Sequence, residues 1–196
     1  EAMARVVRAI PAARLKIVGP NRSGTEFGGY ERECRVAVDR LRLRPNVEFA
    51  GEVPNHRLPE LLRRARVLVV PSIWGEPCGL VVIEGQASGT LVIGSRVGGI
   101  PELIEENKTG LLVLPGDPAA LAAAIVKSLE DDKLLRTVAE EGPRKVERRH
   151  TWEGIGPQLE GIYHRLLDGS GSVEPGPADQ GASQRLFDPQ GLHDNG

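Results

Sequence analysis

The chain has 196 residues, 40% hydrophobic and 27% charged, a composition typical of soluble globular proteins. Its formal net charge of -2 gives no overall attraction to nucleic acid or to anionic membranes, so either kind of binding would need a local basic patch. No apolar run approaches the roughly 18 to 20 residues that span a bilayer, and no secretory leader opens the chain. We therefore expect a cytoplasmic protein. Two cysteines, Cys34 and Cys78, are too few for a disulfide framework or a zinc site.

Strand and helix patterns alternate through the first half of the chain. The predicted helices are 2–10, 30–43, 58–65, 80–88 and 101–105, and the predicted strands are 14–18, 46–50, 67–70, 91–94 and 110–114. The third strand holds four apolar β-formers without polar alternation, which predicts burial on both faces. This order of elements predicts an α/β fold, a Rossmann-like parallel sheet with helices on both faces.

The pattern becomes purely helical after Asp117, an N-cap candidate that is followed by Pro118. Three C-terminal helices are predicted, over 118–130, 131–148 and 152–167, packed outside the sheet. Residues 169–196 contain six glycines, three prolines and four large apolar residues, too little apolar surface to offset the entropy of ordering. We therefore predict one domain over 1–168 and a disordered tail over 169–196.

Two loops are candidates for a binding site, because ligands of open α/β sheets bind beyond the carboxyl ends of the strands. The loop after Val70 carries Glu76, and the helix that begins at Leu80 carries Glu84. Unpaired amides at a helix N-terminus form a cradle for an anion or for sugar hydroxyls, and Glu84 can accept hydrogen bonds from two vicinal hydroxyls. The loop after Gly94 repeats this design, with a glycine pair before a short helix.

Together these residues resemble the carboxyl-terminal, donor-binding domain of group 1 (family 4) retaining glycosyltransferases, enzymes of the GT-B architecture. The resemblance covers about 1–167. It rests on Leu15–Gly19, Val47–Val53, Val67–Ser72, Glu76–Leu80 with Glu84, Gly89, Gly98–Glu102 and Thr109–Val113.

The resemblance implies a role for each of these residues. Glu76 would contact the transferred sugar at the reacting face, as the catalytic residue, and Glu84 would bind the ribose hydroxyls. The other implied donor contacts are Cys78, Gly79 and Leu80 for sugar and diphosphate and Gly51 and Val53 for the base. The glycine pair, Gly98 and Gly99, is either a phosphate loop or only a strand–helix turn.

The resemblance also implies the reaction. A hexosyl group would pass from a UDP- or GDP-linked sugar to an acceptor hydroxyl with retention, without a metal or cofactor. The acceptor, a sugar or a lipid-linked glycan, would bind an N-terminal domain that this chain lacks, and no nucleic acid would take part. The basic run from Arg144 to Arg149 is read as a solvated helix face, with peripheral contact to anionic lipid as the weaker alternative.

This sequence departs from the family pattern at several positions. Gly85 and Gln86 replace the usual Ala and Met at packing positions, and a glycine within a helix costs up to about 1 kcal/mol relative to alanine. The family's domain starts with a strand ending in Gly-Arg, followed by a lysine, and these two cations clamp the diphosphate. That strand, which lies between 14–18 and 67–70, is expected to be missing here, so we expect a fragment of a longer enzyme with little activity by itself.

Three other functions remain open on the sequence alone. The chain could be a non-catalytic module that binds a nucleotide or a protein partner. It could also belong to another GT-B enzyme, such as a nucleotide-sugar epimerase. The third alternative, a flavodoxin-like regulator, predicts no nucleotide affinity.

Overall fold

The computed structural model describes residues 1–19 and 28–168, and its elements follow the predicted order. They are α1 (Ala2–Ala9), β1 (Leu15–Val18), α2 (Gly28–Arg40), β2 (Val47–Gly51), a 3-10 turn (Asn55–Arg57), α3 (Leu58–Arg64), β3 (Val67–Val70), α4 (Leu80–Ala87), β4 (Leu91–Ser95), α5 (Ile100–Leu103), β5 (Gly110–Val113), α6 (Pro118–Glu130), α7 (Asp132–Arg149) and α8 (Trp152–Leu167). Of these, only the 3-10 turn was not predicted. The tail predicted over 169–196 lies outside the described residues.

The strands are parallel, as predicted, but they form two separate sheets. β1 pairs with β2, with Leu15 opposite Val47. The second sheet has the order β3-β4-β5, with Val67 opposite Leu91. Within the described residues, β1 and β3 each lack a strand partner on one side. The break between β1 and β3 falls where the resemblance places a further strand.

Burial differs between β4, the central strand of the three-stranded sheet, and β3, one of its edge strands. All five residues of β4 are buried, because β4 has a strand on each side and helices on both faces. In β3 only Val70 is buried, and the other three residues are partly exposed. The prediction that Val67–Val70 is buried on both faces is therefore confirmed only in part. Val67 and Leu68 pack towards opposite faces of the sheet, but β3 is an edge strand, so most of its residues stay partly exposed.

Alternate residues of β4 pack into two hydrophobic clusters, one on each face of the sheet. Leu91 and Ile93 pack with Leu111, Val113, Leu134 and Val138, which joins the sheet to α6 and α7. Val92, pointing the other way, packs with Val70, Val82, Ile100 and Ile104, which joins it to α4 and α5. The sheet is thus covered by helices on both faces, and the C-terminal helices α6 and α7 lie outside it as predicted.

The chain separates into two compact units, Glu1–Gly154 and a second one that begins at Ile155. Both candidate loops lie in the first unit. No helix within the described residues is long and apolar enough to cross a membrane.

Candidate functional site

The first candidate loop ends at Gly79, the residue before α4. Gly79 has φ +62, a left-handed backbone conformation that residues other than glycine adopt only with strain. A Cβ atom here would lie 3.4 Å from Cγ1 of Ile100 and 3.5 Å from Cδ1 of Leu103. The N-terminus of α4 therefore packs directly on α5.

Glu76 is hydrogen bonded to the residue that precedes this helix. Its Oε1 accepts a hydrogen bond from the Gly79 amide at 3.3 Å, and the side chain is partly buried. Cys78 and Leu80 are exposed beside it. The amide of Gly79, which was predicted as part of an anion cradle, is thus already paired with the predicted catalytic carboxylate.

The second candidate loop is fitted against the first. Gly99 donates its amide hydrogen to the carbonyl of Glu76 at 2.8 Å. Gly98 has φ +51, and a Cβ atom on it would lie 2.6 Å from the backbone nitrogen of Glu76; a Cβ on Gly99 would lie 2.9 Å from the carbonyl oxygen of Pro77. Two loops that are more than 20 residues apart in the chain therefore form one continuous surface.

Glu84 lies in the second turn of α4 and is exposed. In the parts of the chain that the structure describes, its carboxylate has no hydrogen-bond or ion-pair partner. A carboxylate in this state can accept two hydrogen bonds without first breaking an internal one.

Gly51 and Val53, predicted to contact a base, lie at the end of β2 in the other sheet. Gly51 has φ +70, and its carbonyl accepts a hydrogen bond from the Gly19 amide at 3.0 Å. Val53 is partly buried. Within residues 1–19 and 28–168, no hydrogen bond connects these two residues to the loops around Glu76 and Gly98.

Arg96 is the basic residue nearest in sequence to the glycine pair. Its guanidinium binds Glu106 at 2.9 Å, and Glu106 also accepts a hydrogen bond from the Leu112 amide at 3.2 Å. The positive charge of Arg96 is therefore partly neutralised within the protein.

The structure contains a buried polar network behind α5 that was not predicted from the sequence. Gln86 and Lys145, which are 0% and 3% exposed, both donate to the carbonyl of Leu103, each at 2.8 Å. Gln86 also donates to Oγ1 of Thr109 at 3.1 Å, and Lys145 lies 3.4 Å from Glu105. Lys108 and, more weakly, Lys145 lower the pKa of Glu105.

The sequence did contain a signal for this network. Gln86 lies four residues after Val82, on the same face of α4. Lys145 continues the helical spacing of Leu134, Val138 and Gly142, the other buried positions of α7. The prediction that the basic run is a solvated helix face holds for Arg144, Arg148 and Arg149, which are exposed, and is wrong for Lys145. Lys145 is buried because α7 approaches α4 closely three residues earlier, where a Cβ on Gly142 would lie 2.9 Å from the carbonyl oxygen of Gln86.

Gly85 occupies the packing position that was expected from the sequence. A Cβ atom on it would lie 2.6 Å from Cδ2 of Leu68 and 2.8 Å from Cγ2 of Val92. The absence of a side chain lets α4 lie close to β3 and β4, which accounts for a glycine inside this helix.

Comparison with known proteins agrees with the fold and with these motifs. The family model described as glycosyl transferases group 1 matches residues 1–145. The chain belongs to this family, as the resemblance predicted.

Individual relatives and solved structures are similar over most of this chain. The D-inositol 3-phosphate glycosyltransferase of Corynebacterium urealyticum is 32% identical over 92% of the chain and 41% of its own length. The sucrose-phosphate synthase of Thermosynechococcus elongatus is 35% identical, with a TM-score of 0.75 over 86% of this chain and 42% of that one. The Anabaena protein HepE, solved in complex with UDP-glucose, is 26% identical, with a TM-score of 0.73 over 83% and 43%. The chain therefore spans about two fifths of the length of these proteins.

Proposed function

We propose that this chain forms the nucleotide-sugar-binding part of a retaining, metal-independent glycosyltransferase that transfers a hexosyl group to an acceptor hydroxyl. The observation that carries the proposal is the fit of the Gly98–Gly99 turn onto the backbone of Glu76. This fit joins both candidate loops into one surface at the carboxyl ends of β3 and β4.

Each residue in this surface has a proposed task. Glu84 accepts hydrogen bonds from the ribose hydroxyls, and its unpartnered, exposed carboxylate suits that role. Glu76 contacts hydroxyls of the transferred sugar. The backbone amides of Cys78, Gly79 and Leu80 bind the donor sugar and diphosphate, and the Gly79 amide also donates to the Glu76 carboxylate. Gly98, which has no side chain, gives the phosphates close access to the backbone.

UDP-linked sugars are the donors we favour, since HepE has been solved with UDP, with UDP and glucose and with UDP-glucose. We also propose that the 196-residue chain transfers sugar slowly by itself. A diphosphate leaving group needs positive charge, and Arg96, the basic residue nearest to the glycine pair in the sequence, is paired with Glu106.

Calorimetric titration of the chain with UDP, GDP and ADP tests the proposal, after a cooperative thermal melt shows that the protein is folded. We expect saturable binding of UDP that Glu84→Gln abolishes. Glu147→Gln is the matched control, because Glu147 is an exposed acid on α7 and belongs to neither loop. A folded chain that binds none of the three nucleotides, or equal binding by both variants, would refute the proposed site.

Binding alone does not separate a transferase from a nucleotide-binding module. Incubation of the chain, and of any longer protein that contains it, with UDP-glucose and candidate acceptors, followed by mass spectrometry of the products, separates them. Transfer to a hydroxyl supports the transferase, and nucleotide binding without product supports the module.

A further inference from the structure

The network behind α5 connects the candidate site to helix α7. The carbonyl of Leu103 is the last carbonyl of α5, a position where the helix itself supplies no donor. It accepts one hydrogen bond from the side-chain amide (Nε2) of Gln86 in α4 and another from the ammonium group of Lys145 in α7. Two donors from two different helices therefore fix the end of a helix that has only four residues.

The other end of α5 begins at the glycine pair of the candidate site. Gly99 is the N-cap of α5, and its amide hydrogen bonds to the Glu76 carbonyl. Ile100 and Leu103 of α5 also lie against Gly79. A shift of α5 would consequently move the glycine turn relative to Glu76 and would remove support from the N-terminus of α4.

Isolated four-residue helices are not stable in water, so tertiary contacts must fix the position of α5. The buried ammonium of Lys145 contributes strongly, because a hydrogen bond from a charged group is worth more than one between neutral groups. Its second partner, Glu105, is 41% exposed in its side chain, so the Leu103 carbonyl is the more sheltered of its two contacts.

We infer that Gln86 and Lys145 are positioning residues of the candidate site and act through the Leu103 carbonyl. They touch no substrate. They hold α5 so that the Gly98–Gly99 turn stays seated on Glu76, and their effect on donor affinity rests on the function proposed above.

Hydrogen exchange of the Gly99 amide tests this positioning without any ligand, because that amide donates to the Glu76 carbonyl in the other loop. We expect Lys145→Met and Gln86→Met each to accelerate exchange at Gly99 by about tenfold relative to the unsubstituted chain. The amide of Ile93, in the central strand β4, reports general unfolding and should not change. Lys133→Met, an exposed lysine of the same helix α7, is the matched control and should leave Gly99 unchanged.

Several outcomes would overturn the inference. One is unchanged exchange at Gly99 in a folded variant, and another is equal acceleration at Gly99 and Ile93, which would mean a general loss of stability. If Lys145→Met does not fold, Gln86→Met decides the matter, since the Lys145 contact and its charge are kept in that variant.

A UDP titration of the same proteins tests the link to donor binding. We expect the dissociation constant to rise about tenfold in both variants and to stay unchanged in Lys133→Met. If the unsubstituted chain binds no UDP, the proposed function fails while the exchange experiment still decides the positioning role. If UDP binds equally to all proteins, the link between this network and the site is refuted although the site itself stands.

Discussion

The backbone of Glu76 occupies the space that a Cβ atom on Gly98 would need. The clash would be with backbone atoms, the nitrogen at 2.6 Å and the carbonyl oxygen as well, and φ of Gly98 is +51. Backbone atoms cannot turn aside as the end of a flexible side chain can. The seating of one loop on the other therefore depends on glycine at this position.

Gly98→Ala should consequently weaken both stability and nucleotide binding. We expect a loss of about 1 to 3 kcal/mol in the free energy of unfolding, from the clash and from the left-handed conformation. Urea denaturation and UDP calorimetry measure the two effects. Gly75→Ala is the control from the first loop, because no atom lies within 4 Å of the added Cβ. Equal stability and equal UDP affinity in the two variants would contradict the prediction.

Gly85→Ala tests whether close packing outweighs helix propensity. Alanine would gain up to about 1 kcal/mol in the helix, but overpacking a core costs about 1 to 3 kcal/mol. We expect net destabilisation, because Val92 is fully buried and branched at Cβ, and so cannot move aside easily.

A double substitution separates these two terms. In a Val92→Ala background the nearest rigid obstacle to the new Cβ is gone, so Gly85→Ala should cost less there than in the unsubstituted chain. A double-mutant cycle by chemical denaturation measures the difference. Equal cost in both backgrounds would mean that Val92 is not the obstacle.

Asp117→Ala should remove the N-cap of α6. Oδ1 of Asp117 accepts hydrogen bonds from the amides of Ala119 and Ala120, at 2.8 and 2.9 Å. We expect a loss of about 1 kcal/mol in the free energy of unfolding, and a much smaller loss for Asp117→Asn, since asparagine also caps helices well. Thermal or urea unfolding distinguishes the variants, and equal losses in the two would speak against a capping role.

The stability of the chain should fall on mild acidification because of His150. Burial lowers the pKa of His150, and the charges of Lys145 and Arg149 lower it further. The unfolded chain, with a pKa near 6.5, therefore takes up a proton at a pH where the folded chain does not, so stability declines as the pH falls from about 6.5 towards the folded pKa.

Melting temperatures between pH 8 and pH 5 measure this effect. His150→Phe should flatten the decline below pH 6.5, and it should be tolerated because Nε2 of His150 is buried without a hydrogen-bond partner in the described part of the chain. A decline of the same steepness in His150→Phe would assign it to other groups.

Local sequence patterns were sufficient to predict most elements of the fold. Pro11 ends the first helix region, Asp117 caps α6, and the apolar runs define each strand to within a residue or two. These features act over a few neighbouring residues, so their effect can be read directly from the chain. The two candidate loops were also located in this way, from the glycines and acids that follow β3 and β4.

Contacts between distant segments could not be predicted in the same way. Nothing near Glu76 in the sequence indicates that its carbonyl accepts the Gly99 amide or that its carboxylate accepts the Gly79 amide. Lys145 stands in a run of basic residues, and its burial follows only from the close approach of α7 at Gly142. The partial exposure of β3 likewise depends on which strands pair, and the apolar run alone does not reveal this.

The division of the strands into two sheets has a consequence for cooperativity. Among the residues that the structure describes, no backbone hydrogen bond joins the β1–β2 ladder to the β3–β4–β5 ladder, so the first can break while the second remains intact. We expect β1 and β2 to form a separate foldon with a lower opening free energy than the β4 strand. On this expectation, the surface around Glu76 and Gly98 would stay closed while the segment that carries Gly51 opens.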